Sequence, residues 1–518
     1  MPDNNRKNKN ARSKELWRES TSLNNVTNFY NENMIYLFRD DNDNIYASIN
    51  RDDGKIICSI DSEDFKDNLR TLVSIKTGKE LVNMKNYIAA CRHLAHNMPS
   101  NRHSLAVRVA KASSDDDGNT FSIFIAFDKL NIIEVKPGSW SILRGDDYIV
   151  FKSFPHQRPM RMPNKEEGDP TKIFDFVNIH KPTEKAILLS YLIAGLIPDI
   201  VMPALVLNGP PGSAKTTLLR LMKKLLDPSI PETINDNRSM DEISLIASQN
   251  RMLVFDNLTY LTGRQSDMLC SIITGVGFSK RRLFTDENLV VQEYRNLVAL
   301  SGVRLVPDRA DLFDRSIILS LQSIDPEEIR YEEDIWREFD KSAGVIFGGM
   351  LNTLAEALII AKRVKLYYKP RLADFARYSV AIMHALGWDP QLIMDALVEN
   401  KRKQIEAVIE ASPIGSLLLK FLKNKESWIG LASELNAELQ KIASEDGANF
   451  NYKYWPHSDK ALAQELVFLS NALKEYGILF ESKRVSAGSQ KGFKKIPGGL
   501  MHEPEGKLDT KLYEIEPE

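Results

Sequence analysis

What the chain has little of narrows its identity first. Its 518 residues hold three cysteines, Cys58, Cys91 and Cys270, set far apart. A disulfide scaffold or a Cys-rich zinc module needs more of them at closer spacing, so both are excluded and a reducing, cytoplasmic location is expected. An excess of one charge is missing too: 68 Lys and Arg stand against 70 Asp and Glu, a formal net charge of −2. No overall field draws nucleic acid in, and any such contact must come from local basic patches. Long apolar runs are also absent. The greasiest stretch, Ala186 to Pro198, falls short of a bilayer span and reads as a buried helix, so no membrane partner is expected. The opening Met1-Pro-Asp-Asn-Asn-Arg-Lys-Asn-Lys-Asn10 lacks the apolar core of a signal peptide and reads, over 1–25, as a disordered polar tail.

What remains is the composition of a folded protein, 43% hydrophobic and 27% charged, in a chain too long for one core. Met34–Phe38, Ile45–Ile49 and Lys55–Ile60 alternate apolar and polar between Asp/Asn/Gly turns, which predicts a β-meander. A helical stretch from Phe65 to Asn97 follows, then strands near Leu105–Val109, Phe121–Phe127 and Tyr148–Phe151. This gives an N-terminal α+β domain over 26–170. An NTPase core is expected over 171–325, a helical lid region over 326–405, a compact helix-rich unit over 406–500 and a loose acidic tail over 501–518. No internal repeat is visible.

The most informative segment is Pro203-Ala-Leu-Val-Leu-Asn-Gly-Pro-Pro-Gly-Ser-Ala-Lys-Thr-Thr217 followed by Leu218, Leu221, Met222 and Leu225 at helical spacing. It reads as a strand, a small-residue loop and an amphipathic helix. Gly209, Pro210, Pro211, Gly212, Ser213, Ala214, Lys215, Thr216 and Thr217 fit the phosphate-loop spacing, with Ala214 at the second glycine position. Such a loop turns successive backbone N–H groups toward a phosphate; Lys215 can reach the β- and γ-phosphates and the Thr216 hydroxyl can ligate magnesium. ATP and Mg2+ are therefore the expected ligands. Ala214 carries a Cβ where one is least welcome, so a negative φ is expected there.

Arg251-Met-Leu-Val-Phe-Asp256 is an apolar strand ending in a carboxylate, which would hold magnesium. Asn257 follows, able to position a water but not to take its proton; Asp241 or Glu242 from the preceding helix are alternatives as bases. Asn296-Leu-Val-Ala-Leu-Ser301 ends in a hydroxyl where a γ-phosphate sensor would sit, turn chemistry being the other reading of Ser301. Arg315 and, second, Arg309 precede the strand Ile317–Leu321. In a ring they would face a neighbour's γ-phosphate; within one protomer Arg315 would pair with Asp311 or Asp314. Arg371 opens a helix in the lid region, where a second sensor arginine would reach back to the phosphates.

The series Gly212-Ser-Ala-Lys-Thr-Thr217, Val254-Phe-Asp-Asn-Leu258, Thr274-Gly-Val-Gly-Phe278, Asp311-Leu-Phe-Asp-Arg315 and Pro370-Arg-Leu-Ala-Asp-Phe375 resembles a group of bacterial, often prophage- or plasmid-borne, AAA+ ATP-binding proteins. These are similar to the superfamily III and poxvirus-type primase–helicase ATPases. The resemblance covers roughly 180–500. It implies an ATP-driven DNA translocase that assembles as a homo-hexamer, although Ser301 and Asn257 depart from that pattern, which carries an asparagine and an acid there.

The same family carries a DNA-contacting hairpin between the magnesium and sensor strands. Here that interval holds Lys280, Arg281 and Arg282 with Phe278 and Phe284, positive charge for phosphates and rings for bases. Pairing of the three cations with Asp286 and Glu287 and contact with nucleotide across the ring are the alternatives. Farther on, Ile414–Lys423, Leu431–Ile442 and Ala461–Tyr476 read as three helices, followed by a basic hairpin with Lys483, Arg484, Lys491, Lys494 and Lys495. Three helices and a basic hairpin resemble a winged helix that grips duplex DNA, or one that binds protein instead. The expected class is α/β: a P-loop AAA+ (ASCE) core with a helical region, an N-terminal α+β domain and a C-terminal winged helix. The expected function is a replicative DNA helicase or translocase of a mobile element, with single-stranded DNA in a pore; the alternative is a nucleotide-switched scaffold that does not unwind DNA.

Overall fold

The computed structural model describes residues 35–517 apart from 52–53, 79–83, 97–100, 114–120, 146–147, 149, 235–237, 260, 276–277, 282–288, 293–294, 303–309, 446–454, 487 and 497–511. The expected tail over 1–25 lies outside these residues.

β1 (Ile35–Arg39), β2 (Ile45–Arg51) and β3 (Gly54–Ser59) form the expected antiparallel meander, with Ile35 opposite Ile49 and Ala47 opposite Cys58. Alternation sends Leu37 and Ile49 to one face, where they pack with Phe65 and Leu69 of α1 (Glu63–Thr77) and Cys91 of α2 (Met84–His96). The helical stretch is two helices because α1 stops at Gly78, which takes the left-handed conformation. A second antiparallel sheet follows: β4 (Val109–Ser113), β5 (Phe121–Ala126), β6 (Asn131–Lys136) and β7 (Ser139–Arg144), in that order. Its buried Ile123, Ile133 and Val135 join the core of the following helices, not that of the meander. The region expected as one α+β domain thus divides its apolar side chains between two cores.

The central body begins with α3 (Pro182–Ala194), buried along nearly its whole length. Next come β8 (Ala204–Asn208), α4 (Lys215–Leu226), α5 (Met240–Ala247), β9 (Met252–Leu258) and α6 (Gly263–Thr274). A two-stranded antiparallel ribbon of β10 (Phe278–Arg281) and β11 (Leu289–Gln292) leads to β12 (Leu297–Gly302), α7 (Ala310–Asp314) and β13 (Ser316–Ser320). Strands β8, β9, β12 and β13 are parallel in the order β13-β8-β12-β9. Both faces of this sheet are covered, as the unbroken apolar runs of its strands require.

The helical region holds α8 (Glu332–Ile360), β14 (Val364–Leu366), α9 (Ala373–Ala385) and α10 (Gln391–Ala411). By length and composition α8 is apolar enough to cross a membrane, and 72% of its apolar window is buried inside the protein. Part of that cover is backbone: Asn164 N donates to Gly344 O at 2.8 Å, and a Cβ on Gly348 would lie 1.9 Å from Asn164 O. The C-terminal unit runs α11 (Gly415–Leu422), β15 (Ser427–Leu431), α12 (Ala432–Glu445), α13 (Asp459–Tyr476), β16 (Ile478–Val485) and β17 (Gly488–Lys495), with sheet order β15-β17-β16. The last residues are not a loose tail throughout. β18 (Tyr513–Ile515) pairs antiparallel with β14, Tyr513 opposite Leu366, and Leu512 is buried in the central core. Two apolar residues and an unpaired strand edge outweigh the acidity of the segment.

One buried carboxylate ties these parts together. Asp227, at the end of α4, has no exposed surface; it meets Lys223 Nζ at 2.8 Å and Arg108 Nε at 3.1 Å, and accepts Arg251 N and Met252 N at 2.9 and 3.0 Å. Burial alone would raise its pKa, but Lys223, Arg108 and the backbone donors outweigh it and hold the group well below the usual carboxylate range. Its contribution to stability is therefore complete above about pH 4 and is lost as pH falls through the depressed folded value. Asp227→Asn leaves two buried cations uncompensated and should cost about 3–5 kcal/mol, read as a lower urea midpoint at pH 7.

Candidate nucleotide site

β8 delivers the chain to Gly209 at the C-terminal edge of the parallel sheet, and α4 begins at Lys215. Leu218, Leu221, Met222 and Leu225 are buried, which pins the helix so that its first turn faces the loop. At Gly209 a Cβ would lie 2.5 Å from Leu321 O and 2.9 Å from Ser213 Oγ, so only glycine fits. Ala214 overturns its expectation: it sits at φ 59° and ψ 28°. The chain must reverse there so that the loop amides and the first turn of α4 converge on one centre, and that geometry overrides the Cβ penalty of about 1–2 kcal/mol.

Lys215 Nζ arches over the loop, donating to Gly209 O and Pro210 O at 2.8 Å each and to Ser213 Oγ at 3.2 Å. Burial lowers its pKa and the charge of Asp256 opposes the shift. Gly212 is exposed and a Cβ there would meet nothing within 4 Å, so the mouth of the loop is open; Thr216 is exposed beside it.

Asp256 and Asn257 lie at the same edge on a bulge. Leu300 of β12 pairs with Phe255 but Gly302 pairs with Leu258, so β9 carries one extra residue, and Asn257 takes φ 56°. Ser301 is fully buried and donates its hydroxyl proton to Asp256 Oδ1; its oxygen accepts Asn257 N at 3.0 Å. The one proton of Ser301 is thus committed to the carboxylate, and the residue orients Asp256 where a direct phosphate contact was expected. Glu242 is committed as well: its carboxylate accepts Ser239 N at 2.8 Å in a capping box, and Ser239's donations hold its pKa low.

Sequence reasoning missed the wall of the loop. Leu321 N donates to Asn208 O at 2.8 Å, Asn178 Nδ2 donates to Gln322 O at 2.7 Å, and His180 Nε2 lies 2.7 Å from Asn178 Oδ1. Leu321 and Gln322 directly follow β13, but Asn178 and His180 precede β8 by a long interval and no local pattern marks them.

The arginines lie at the other end of the sheet. Arg315 O accepts Ala204 N at 2.9 Å at the N-terminal edge, about 16 Å of strand from Gly209. Its guanidinium pairs with Asp311 and lies 3.7 Å from Cys270 Sγ, the pairing within one protomer that the sequence left open. Arg371 does not reach the loop: it pairs with Asp311 at 2.8 Å and with Asp314. The segment before it is tied down where Tyr367 N and Tyr368 N donate to Leu512 O, which sets Arg371 beside the carboxylates of α7. Arg371 is therefore not a sensor for its own loop. Asp314, Arg315 and Arg371 line a cavity of about 600 Å³ together with Glu475 and Lys401, which lies 2.7 Å from Asp314 and 2.8 Å from Glu475. Arg309 and Arg282 lie outside the described residues. Lys280 and Arg281 lie on β10, in the ribbon between the end of α6 and the start of β12, the edge that also carries Arg315.

In the C-terminal hairpin, period-2 alternation sorts the cations. Phe493 packs against Phe480 and Trp428, so Lys491 and Lys495 share its inward face. Lys491 is 1% exposed with Nζ 2.8 Å from Ser482 Oγ, and burial lowers its pKa; Lys495 Nζ donates to Lys423 O at 3.1 Å. Those two are packing residues and are withdrawn as DNA contacts. Lys483, Arg484 and Lys494 are exposed.

The stretches of chain that build this sheet, the helical region and the small C-terminal unit are similar to replication proteins. Residues 171–396 match the family model described as actinomycete integrative conjugative element replication protein, and residues 414–496 match the AICE RepA C-terminal domain. Over these two stretches, more than half of its length, the chain is similar to that family. No curated protein matches. Among solved structures, "The A form apo structure of NrS-1 C terminal region-CTR" is 13% identical, the match covering 91% of this chain and 98% of that one with a TM-score of 0.39. "The apo structure of NrS-1 C terminal region (305-718)" is 12% identical with the same coverage and score.

Ala214→Gly removes the left-handed Cβ strain and should raise stability by about 1 kcal/mol, measured by denaturant unfolding.

Proposed function

We propose that this chain is an ATP-dependent motor of DNA replication in the cytoplasm, an AAA+ P-loop ATPase with a C-terminal winged helix that works as a homo-hexameric ring. The observation that carries this reading is the convergence of Gly209–Thr217, Asp256 and Ser301 on one edge of the parallel sheet. The donor set fits ATP and Mg2+. Loop amides and an ammonium suit polyphosphate, and one carboxylate with one hydroxyl suits a metal that takes its other ligands from phosphate and water.

Bound Mg2+ would neutralise charge developing on the transferred phosphoryl group. Lys215 would exchange its carbonyl partners in the loop for phosphate oxygens. Ser301 keeps the Asp256 carboxylate turned toward the mouth, and exposed Asn257 would orient the attacking water by a hydrogen bond without accepting its proton. DNA would meet the β10–β11 ribbon as a single strand and Lys483, Arg484 and Lys494 as duplex; backbone contacts of that kind make binding salt-sensitive.

A second reading has its own support. Asn257 stands in place of an acid, and Arg315 and Arg371 are both engaged by Asp311, which favours a nucleotide-switched scaffold that assembles without unwinding. Lys215→Ala should abolish ATP turnover with the fold intact, and Asp256→Ala should remove the magnesium dependence while leaving residual nucleotide binding; wild-type turnover in the first variant would sink the site.

Mixing separates the two readings. Arg315→Ala should bind ATP nearly normally yet lose hydrolysis on the order of 10³-fold, and mixing it with Lys215→Ala protein should restore part of the rate. Rescue requires an arginine acting across subunits. An ATP-dependent ring with no rescue and no stimulation by single-stranded DNA at low salt decides for the scaffold.

A further inference from the structure

Between the meander and the second sheet lies a cavity of about 570 Å³, remote from the loop edge and used by nothing described so far. Ile57 of β3 and Ile132 of β6 make part of its lining apolar. Lys55, Lys152 and Arg158 also line it, and Arg108 forms part of its wall; the carboxylates among its lining residues are those of Asp64 and Asp128. Asp128 is already engaged, accepting Leu130 N and Asn131 N at 2.7 Å each. Lys152 Nζ stands 3.8 Å from Asp40, a long contact to a carboxylate that also accepts Asn42 N and Asn44 N. Arg158 Nη1 donates to the backbone carbonyls of Pro155 and Gln157, and Lys55 Nζ to that of Tyr148. Five cations, Lys55, Arg108, Lys129, Lys152 and Arg158, thus line the cavity against the two carboxylates of Asp64 and Asp128, with Arg108 held by Asp227 and Lys152 beside Asp40.

A further feature narrows the ligand. Tyr148 and Phe154 bring rings to the lining, surfaces on which a planar group can stack. Cations for an anion and rings for a planar base are the recognition set of a nucleotide, in a cavity of the usual size for a small ligand.

We propose that this cavity is a second nucleotide site that takes a base with its 5′-phosphate, either as a free mononucleotide or as the end of a single strand. It is separate from the Gly209–Thr217 loop and does not depend on what that loop binds. The test uses the full chain carrying Lys215→Ala, so that the loop is disabled. Thymidine 5′-monophosphate and a 5′-phosphorylated pentathymidylate are titrated by calorimetry into this protein and into the same protein carrying Lys152→Glu and Arg158→Glu.

At least one probe should bind saturably, and the double reversal should weaken it by about tenfold or more. Monophosphate binding alone identifies the free nucleotide as the source, and pentathymidylate binding alone identifies a strand end. Because Lys152 stands beside the buried Asp40, Lys152→Gln with Arg158→Gln is titrated as a second pair, and unchanged circular dichroism and ATP binding in the Lys215-intact variants check that the fold is intact. Failure of both probes to bind, or binding indifferent to the reversal, overturns the proposal. Cavity binding in a wild-type chain that does not bind ATP would leave this site standing and remove the function proposed for the loop.

Discussion

The candidate site depends on a charge that has no access to it. Asp227 closes the far end of α4 and at the same time accepts the backbone amides of Arg251 and Met252, where β9 begins. The helix whose first residue is Lys215 and the strand that ends in Asp256 are thus referenced to one carboxylate, and the distance between their working ends is set by two rigid elements of fixed rise. Arg108 brings the second sheet to the same point, and its other donations reach Pro228 O and Arg158 O.

The parallel sheet separates two chemistries by its own length. Its C-terminal edge gathers backbone amides, one ammonium and one carboxylate; its N-terminal edge gathers Arg315, Arg371 and Lys401 against Asp311, Asp314 and Glu475. Within one protomer the two edges cannot meet. If both serve one reaction they must come from different copies of the chain, and the arginines must first exchange the carboxylates they now hold.

Much of this was legible where a local pattern carries a local structure. The small-residue loop, the carboxylate strand, the meander and the three C-terminal helices follow from spacing alone, and each lies where spacing put it. The β6–β7 hairpin was also legible and was missed: Asn131–Lys136 and Ser139–Arg144 alternate around Pro137-Gly138, and Gly138 takes φ 83° as a two-residue turn of that type demands. Other features depend on distant partners and left no local trace. The inward turn of Lys491 is set by Phe493 two residues away and by the rings it meets across the sheet. The fate of Arg371 is set by Leu512, 141 positions later. Ala214 shows the opposite failure, a correct steric rule overridden by the convergence the loop must achieve.

The return of the chain's end to β14 changes what the C-terminal unit can do. Residues 415–495 leave the helical body through α10, and the chain comes back to that body at Leu512. A module hung from one linker sweeps a volume; this one is also held by Ile405 and Ile409 of α10, which lie in the module's own core, and by Lys401, 2.8 Å from Glu475 of α13. The hairpin bearing Lys483, Arg484 and Lys494 is therefore aimed by the body that carries the nucleotide loop, with its orientation given by packing on α10 instead of a tether.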